Sequence, residues 1–262
     1  MTEPDVWLLV LMGLAALTAG WVDAVVGGGG LVQLPALLLG FPGASPVQIL
    51  ATNKLGSICG TTVSSLTYFR RVRPDLRTAL PMAGFALAGA VLGALLGTRI
   101  PKEAFNPIIL VVLLAVGGYT LARPSLGHGT GLRFRGRRHH GAAGLIGFAV
   151  GVYDGALGPG TGSFLVFALV GVLGYGFLQA SAKAKMANLA TNLGALLVFV
   201  PAGAVMWEVG LVMGACNIVG GYVGARTAVA RGDRFVRAVF VLVVGAFVVK
   251  IGWDTAAQLG LV

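Results

Sequence analysis

The sequence predicts an all-α integral membrane protein: a polytopic helix bundle built from two inverted repeats with broken or re-entrant helices. Composition, the placement of arginine and a self-similarity between the two halves carry that expectation. Of 262 residues, 56% are hydrophobic and 42 are Gly, whereas only 11% are charged. Soluble domains carry about 25% charged residues, so a soluble enzyme and a disordered tail are both excluded. Uncharged stretches cover 24–53, 78–98, 104–122, 155–182, 186–207 and 209–225. Each approaches or exceeds the roughly 20 residues that a helix needs to cross a hydrocarbon core.

The net charge of +10 would point to nucleic acid in a soluble protein, but its placement argues otherwise. Thirteen of fourteen Arg fall in three short segments, 70–77, 123–138 and 226–237, each between apolar stretches. This is the positive-inside pattern, and it makes the three segments cytoplasmic loops of a multi-pass membrane protein. No basic surface remains for nucleic acid, and membrane lipid is the expected surrounding.

Along the chain, the start Thr2-Glu3-Pro4-Asp5 is acidic and lacks a basic n-region, so the first apolar run is expected to remain in the mature protein. The stretch 6–26 breaks at Gly27-Gly28-Gly29-Gly30 and resumes for about a dozen residues, about 18 Å of helix. The stretch 141–157 likewise breaks at Gly158-Pro159-Gly160-Thr161-Gly162 and resumes to about Leu173. Four glycines, or Gly-Pro-Gly, sit badly inside a helix, and irregular backbone at membrane depth survives only beside protein or a water-filled cavity. Ser45-Pro46-Val47-Gln48 reads as an N-cap, a Pro in the first turn and a capping-box Gln. Cys59 and Cys216 stand alone in apolar spans and read as small hydrophobes. His128, His139 and His140 fall in the central basic segment and read as part of a solvated linker, with no metal site and no cofactor expected.

A gapless offset of 131 residues pairs Asp23 with Asp154 and Lys54 with Lys185, along with Gly20/Gly151, Gly27/Gly158, Gly29/Gly160 and Gln48/Gln179. Asp and Lys are scarce here, so their pairing inside apolar stretches is the persuasive part. The repeat divides the chain into a first membrane half (1–122), a basic cytoplasmic linker (123–140) and a second membrane half (141–262). With the arginine segments inside, the stretch 45–69 runs inward while its counterpart 186–201 runs outward. That is the inverted-topology repeat of many secondary transporters, whose binding sites lie at the repeat interface. A re-entrant loop and two tilted short spans are both compatible with the pattern, leaving about seven to ten membrane segments.

Asp23, Lys54, Asp154 and Lys185 lie within apolar spans, where an ionisable residue marks function by default; structural Asp–Lys pairing is the competing reading. Around the lysines sit Asn53 and Ser57 in the first half and Asn188 and Asn192 in the second, sharing helical faces with them. With Gly29, Gly30, Gly160 and Thr161 at the two breaks, they form a donor set that suits a small oxyanion better than a metal cation, which wants converging carboxylates. Asp23 and Asp154 are expected to pair with the lysines or carry a coupling proton. Isolated Ser and Thr hydroxyls are ordinary interhelical glue, and glycines at four-residue spacing (Gly89, Gly93, Gly97; Gly220, Gly224) are expected to permit close helix packing.

The runs Asp23-Ala-Val-Val-Gly-Gly-Gly-Gly-Leu-Val-Gln-Leu-Pro35, Ala51-Thr-Asn-Lys-Leu-Gly-Ser57 and Tyr68-Phe-Arg-Arg71 resemble the sulfite exporter TauE/SafE family in its YfcA-like branch. In the second half, 153–162 and 184–194 are similar to that branch too, and the resemblance covers nearly the whole chain. It implies an inner-membrane transporter with two related halves and small anionic substrates, sulfite or organosulfonates, with export the expected direction. Pro159 stands opposite Gly28, so the two breaks are not expected to be equivalent. A passive anion channel is the alternative within the same class. An intramembrane enzyme is disfavoured, because Tyr153-Asp154 mimics one aspartyl-protease signature while its Gly-x-Gly-Asp partner is missing.

Overall fold

The computed structural model describes residues 5–99 and 131–258, and among them it is an all-α polytopic membrane protein. The anticipated span 104–122, and residues 123–130 of the basic stretch 123–138 with His128, lie outside the described residues. In the first half α1 (Val6–Val26), α2 (Gly30–Gly40), α3 (Pro46–Val72) and α4 (Leu76–Gly97) follow one another. The second half repeats the order with α5 (Gly136–Ala156), α6 (Thr161–Gly171), α7 (Phe177–Phe199) and α8 (Trp207–Gln258). Thr161, Phe177 and Trp207 each stand 131 residues after the residues that open α2, α3 and α4, so the sequence register is also a register of helix starts.

Local chemistry accounts for these boundaries. The capping box at α3 is formed: the Gln48 amide donates to Ser45 Oγ, and the Ser45 amide donates to Gln48 Oε1. Asp75 caps α4, and the Thr78 hydroxyl donating to its carboxylate (2.7 Å) holds that carboxyl below its ordinary range. Gly27 ends α1 in the left-handed region (φ 85°), with its amide on Asp23 O, a conformation that glycine adopts without a Cβ penalty. The half-helices α2 and α6 have 11 residues each, about 16 Å, which is about half a bilayer core.

By length and composition, α1, α4 and Trp207–Val243 of α8 are apolar enough to cross a membrane. The other long helices, α3, α5 and α7, are less apolar and carry Lys54, Asp154 and Lys185. Two apolar cores gather toward opposite ends: one around Tyr68, Leu165, Leu169, Phe177 and Phe240, the other around Leu37, Ile49, Ala94, Phe199 and Met213. Along α7 the stretch 188–192 lies between residues of the two cores, and along α3 the stretch 53–61 does the same. The polar groups are therefore held between apolar layers.

The halves interlock: α4 packs along α5 and α7, while α8 packs along α1 and α3. Small residues make this possible. A Cβ on Gly89 or Gly93 would collide with the carbonyl oxygens of Phe148 or Val152, and one on Gly151 or Gly155 with those of Ala86 or Ala90. Gly220 and Gly224 of α8 meet the carbonyls of Leu17 and Trp21 of α1 in the same way. Backbone approach of this kind substitutes for the hydrophobic drive that lipid removes. Cys59 and Cys216 fill space against Gly214 and Gly13.

Two expectations are corrected. The basic stretch before the second half is helical from Gly136 onward, and His139 is buried with Nε2 2.7 Å from the Tyr175 hydroxyl, because α5 starts against the residues leading into α7. The segment 226–237 is not an open loop: α8 runs through it, with one non-helical residue, Gly232 (φ 72°, ψ −167°), joining two helices.

Gly93→Leu is expected to destabilise the folded protein by about 1–3 kcal/mol, the usual penalty of overpacking, read as a lower unfolding temperature in detergent. Gly84→Leu, at an exposed position where an added Cβ meets nothing within 4 Å, is expected to leave it unchanged.

Candidate functional site

The two helix breaks meet. A Cβ on Gly27 would collide with the backbone of Gly162, and one on Gly162 with Gly27, so the first break is pressed backbone to backbone against the second. The Ser163 amide donates to Gly27 O (3.1 Å) and its hydroxyl to Val26 O (2.8 Å), tying α6 to the end of α1. The breaks differ in conformation as their sequences imply: Gly160 is left-handed (φ 78°), whereas Gly29 is right-handed (φ −58°). Neither α2 nor α6 has a side-chain cap, so both half-helices bring their positive ends to this point uncapped.

Across the meeting point run two ion pairs, each joining one half to the other. Lys54 Nζ lies 2.5 Å from Asp154 Oδ1, and Lys185 Nζ 2.8 Å from Asp23 Oδ2. The pairs exchange equivalent residues, since Asp23 corresponds to Asp154 and Lys54 to Lys185. Both lysines are buried, and a third cross-link joins equivalent positions directly, with Asn192 Nδ2 donating to Thr61 Oγ (3.3 Å). Burial makes the pairs interdependent: removing one partner leaves an uncompensated charge away from water, while removing both does not.

The pairs border a polar cavity lined by Asp23, Gly30, Asn53, Lys54, Ser57, Asp154, Gly160, Thr161, Asn188 and Asn192, and by Gly27, Gly158 and Gly162. Of the anticipated site residues, only Lys185 and Gly29 stand behind this lining. Lys185 is fully buried against Asp23, and the Gly29 amide lies 3.4 Å from Asp23 Oδ1. The cavity has about 10 Å³ of space, enough for about one water. Thr161 donates to Asp154 Oδ1 (2.5 Å), with Gly158 O a second acceptor at 2.9 Å. Ser57 donates to Gln33 Oε1 (3.0 Å).

Gln33 and Ser163 are the contributors that sequence reasoning passed over. Gln33 is 1% exposed within an otherwise apolar half-helix, and an amide in such a run is the signal that could have marked it. Ser163 sits one residue beyond the second break and had no distinguishing signal. Lys183, by contrast, does not join the cavity; its buried ammonium lies over the Tyr175 ring (4.3 Å) and reaches Gln179 Oε1 (3.4 Å).

Lys54→Met and Asp154→Leu are each expected to destabilise the protein by about 3–5 kcal/mol, and the double variant by clearly less than the sum, in thermal unfolding of the detergent-purified protein. Additive losses would mean that the two groups do not depend on each other.

Comparison with known proteins places this geometry in a family. The chain is 38% identical over 250 residues to the probable membrane transporter protein ORF9 of Sinorhizobium sp, covering 93% of this chain and 92% of that one. It is 35% identical over 254 residues to the probable membrane transporter protein YfcA of Escherichia coli K12, covering 96% and 92%. A probable membrane transporter protein of Haemophilus influenzae is 34% identical over 251 residues, covering 94% and 95%. No solved structure matches the chain. The model of the family described as sulfite exporter TauE/SafE matches residues 12–251, and with relatives this similar over 92% of their length, the chain belongs to that family.

Proposed function

We propose that the chain carries a small oxyanion, sulfite or an organosulfonate or a similar anion, across the bacterial inner membrane by alternating access, in the export direction. One observation carries this reading: two buried ammonium groups, each held by a carboxylate of the other half, flank one polar cavity where two uncapped half-helices meet. The family description supports the anion class, and the relatives' names support membrane transport.

The cavity admits about one water, which is less than an oxyanion needs, so loading requires the halves to separate. An entering anion takes over the hydrogen bonds that Lys54 and Lys185 give to Asp154 and Asp23 at rest. Asn53, Asn188, Asn192 and Ser57 add neutral donors. The first turns at Gly30 and Thr161 add fixed positive partial charge, and Gly29 and Gly160 leave the backbone open to close approach. Movement of one inverted repeat against the other then exposes the anion to either side, with segments 70–77, 123–138 and 226–237 in the cytoplasm and lipid around the bundle. A cavity this small favours a transporter over a passive channel.

Purified protein in proteoliposomes is expected to show saturable flux of radiolabelled sulfite or sulfoacetate. Lys54→Ala and Lys185→Ala, confirmed folded by monodisperse elution, are each expected to reduce it by about tenfold or more, the equivalent of one charged hydrogen bond. Undiminished flux in both variants would show that the lysines are structural.

A further inference from the structure

The two ion pairs are equivalent in sequence but not in surroundings. Asp23 has both oxygens engaged, Oδ2 by Lys185 and Oδ1 by the Gly29 amide, and its side chain is 14% exposed. Asp154 is 1% exposed and takes Lys54 and Thr161 on the same oxygen, Oδ1. Its other oxygen, Oδ2, is buried and has no hydrogen-bond partner among the described residues. Asn53 Oδ1, on the same cavity, is a second buried acceptor without a donor. The difference accompanies two exchanges: Thr161 occupies the position equivalent to Gly30, and with Pro159 opposite Gly28 the counterpart of Gly29, Gly160, is left-handed.

We infer that Asp154, and not Asp23, is the proton-carrying group of the transport cycle, taking up one proton for each anion that enters the cavity. The inference rests on the oxyanion reading of the site. At rest the two pairs at the cavity, with Lys185 behind its wall, bring two ammoniums and two carboxylates, with no net charge. A water can cover Asp154 Oδ2 and Asn53 Oδ1 in that state, but an oxyanion displaces it and draws Lys54 away from Asp154. The carboxylate is then left buried beside a second anion with only Thr161 to support it, an arrangement that low dielectric penalises heavily. A proton from water on the open side adds to Oδ2, giving a neutral acid whose O–H is a donor among unsatisfied acceptors. It returns to water when the anion leaves on the other side, and no bond of the anion is made or broken.

The groups that face Asp154 are few. Lys54 comes from α3 and Thr161 from α6, and the Lys185–Asp23 pair of α7 and α1 stands at the cavity. On α5 itself, the neighbouring Tyr153 hydroxyl is spent on Pro159 O (2.6 Å). Where α4 packs against this turn it presents Ala90 and Ala94, which do not titrate. Asp154 is thus the site where the anion's charge can be balanced, and the flux of a monovalent anion becomes electroneutral cotransport with a proton.

The test uses full-length protein in proteoliposomes with a lumenal pH dye and radiolabelled methanesulfonate, a monovalent sulfonate that stays ionised throughout, beside sulfite and sulfoacetate. Wild-type methanesulfonate influx is expected to acidify the lumen one proton per anion, to rise by up to about tenfold per unit of external acidification, and to ignore an imposed potassium-diffusion potential. Asp154→Asn is expected to carry anion without acidification, whereas Asp23→Asn keeps whatever flux it has coupled. Wild-type methanesulfonate flux that follows the imposed potential or leaves lumenal pH unchanged would overturn the assignment even if the Asp154 variant does not fold. Acidification persisting in Asp154→Asn would do the same. No flux of any of the three anions would instead remove the oxyanion reading, and this assignment with it.

Discussion

An ammonium held away from water needs a counter-charge, and Lys54 and Lys185 each find theirs on the opposite half of the chain. Much else follows from that requirement. For the carboxylates of α1 and α5 to reach lysines on α3 and α7, the two helix breaks must lie side by side, and Gly27 and Gly162 supply backbone bare enough to touch. For the breaks to lie side by side, α4 and α8 must each embrace helices of the other half, which the glycine rows on α4, α5 and α8 allow. The charged centre and the glycine-rich packing are therefore one design, in which losing either would open the other.

The same centre is built to be provisional. Two apolar cores flank it, so separation at the cavity need not dissolve the bundle at both ends at once. In the proposed cycle, the crossed pairs hold the halves together until an oxyanion replaces the carboxylates as partner of the lysines. The symmetry of the pairs gives a similar closure on either side of the cavity. The departures from symmetry, Thr161 in place of a second Gly30 and Pro159 in place of a second Gly28, accompany different surroundings for the two carboxylates.

Much of this was legible in the sequence because membranes penalise charge so heavily. Asp23, Lys54, Asp154 and Lys185 stood out as rare types in apolar runs at a common offset, and the structure pairs all four around one cavity, with Lys185 behind its wall and Asn53, Ser57, Asn188 and Asn192 on it. The breaks, the capping box at Ser45 and the glycine packing rows were equally readable, since each is a local rule. Two kinds of feature escaped. The crossing of the pairs between halves is a tertiary outcome that no local spacing encodes. His139 and the arginines of 226–237 were read as open loop because basic residues at a helix end read like one, although helix begins at Gly136 and flanks the break at Gly232 on both sides. Gln33 was missed for a different reason: its amide sits in a motif otherwise legible as apolar packing.

An experimental structure of the protein determined in lipid nanodiscs with sulfite or methanesulfonate addresses the central claim most directly. Anion density within hydrogen-bond reach of Lys54 or Lys185, at the meeting of the Gly27–Gly30 and Gly158–Gly162 breaks, with at least one Lys–Asp pair separated, is the predicted result. Both pairs intact with the anion bound elsewhere in the bundle would contradict it, and would make the charged centre a structural clasp.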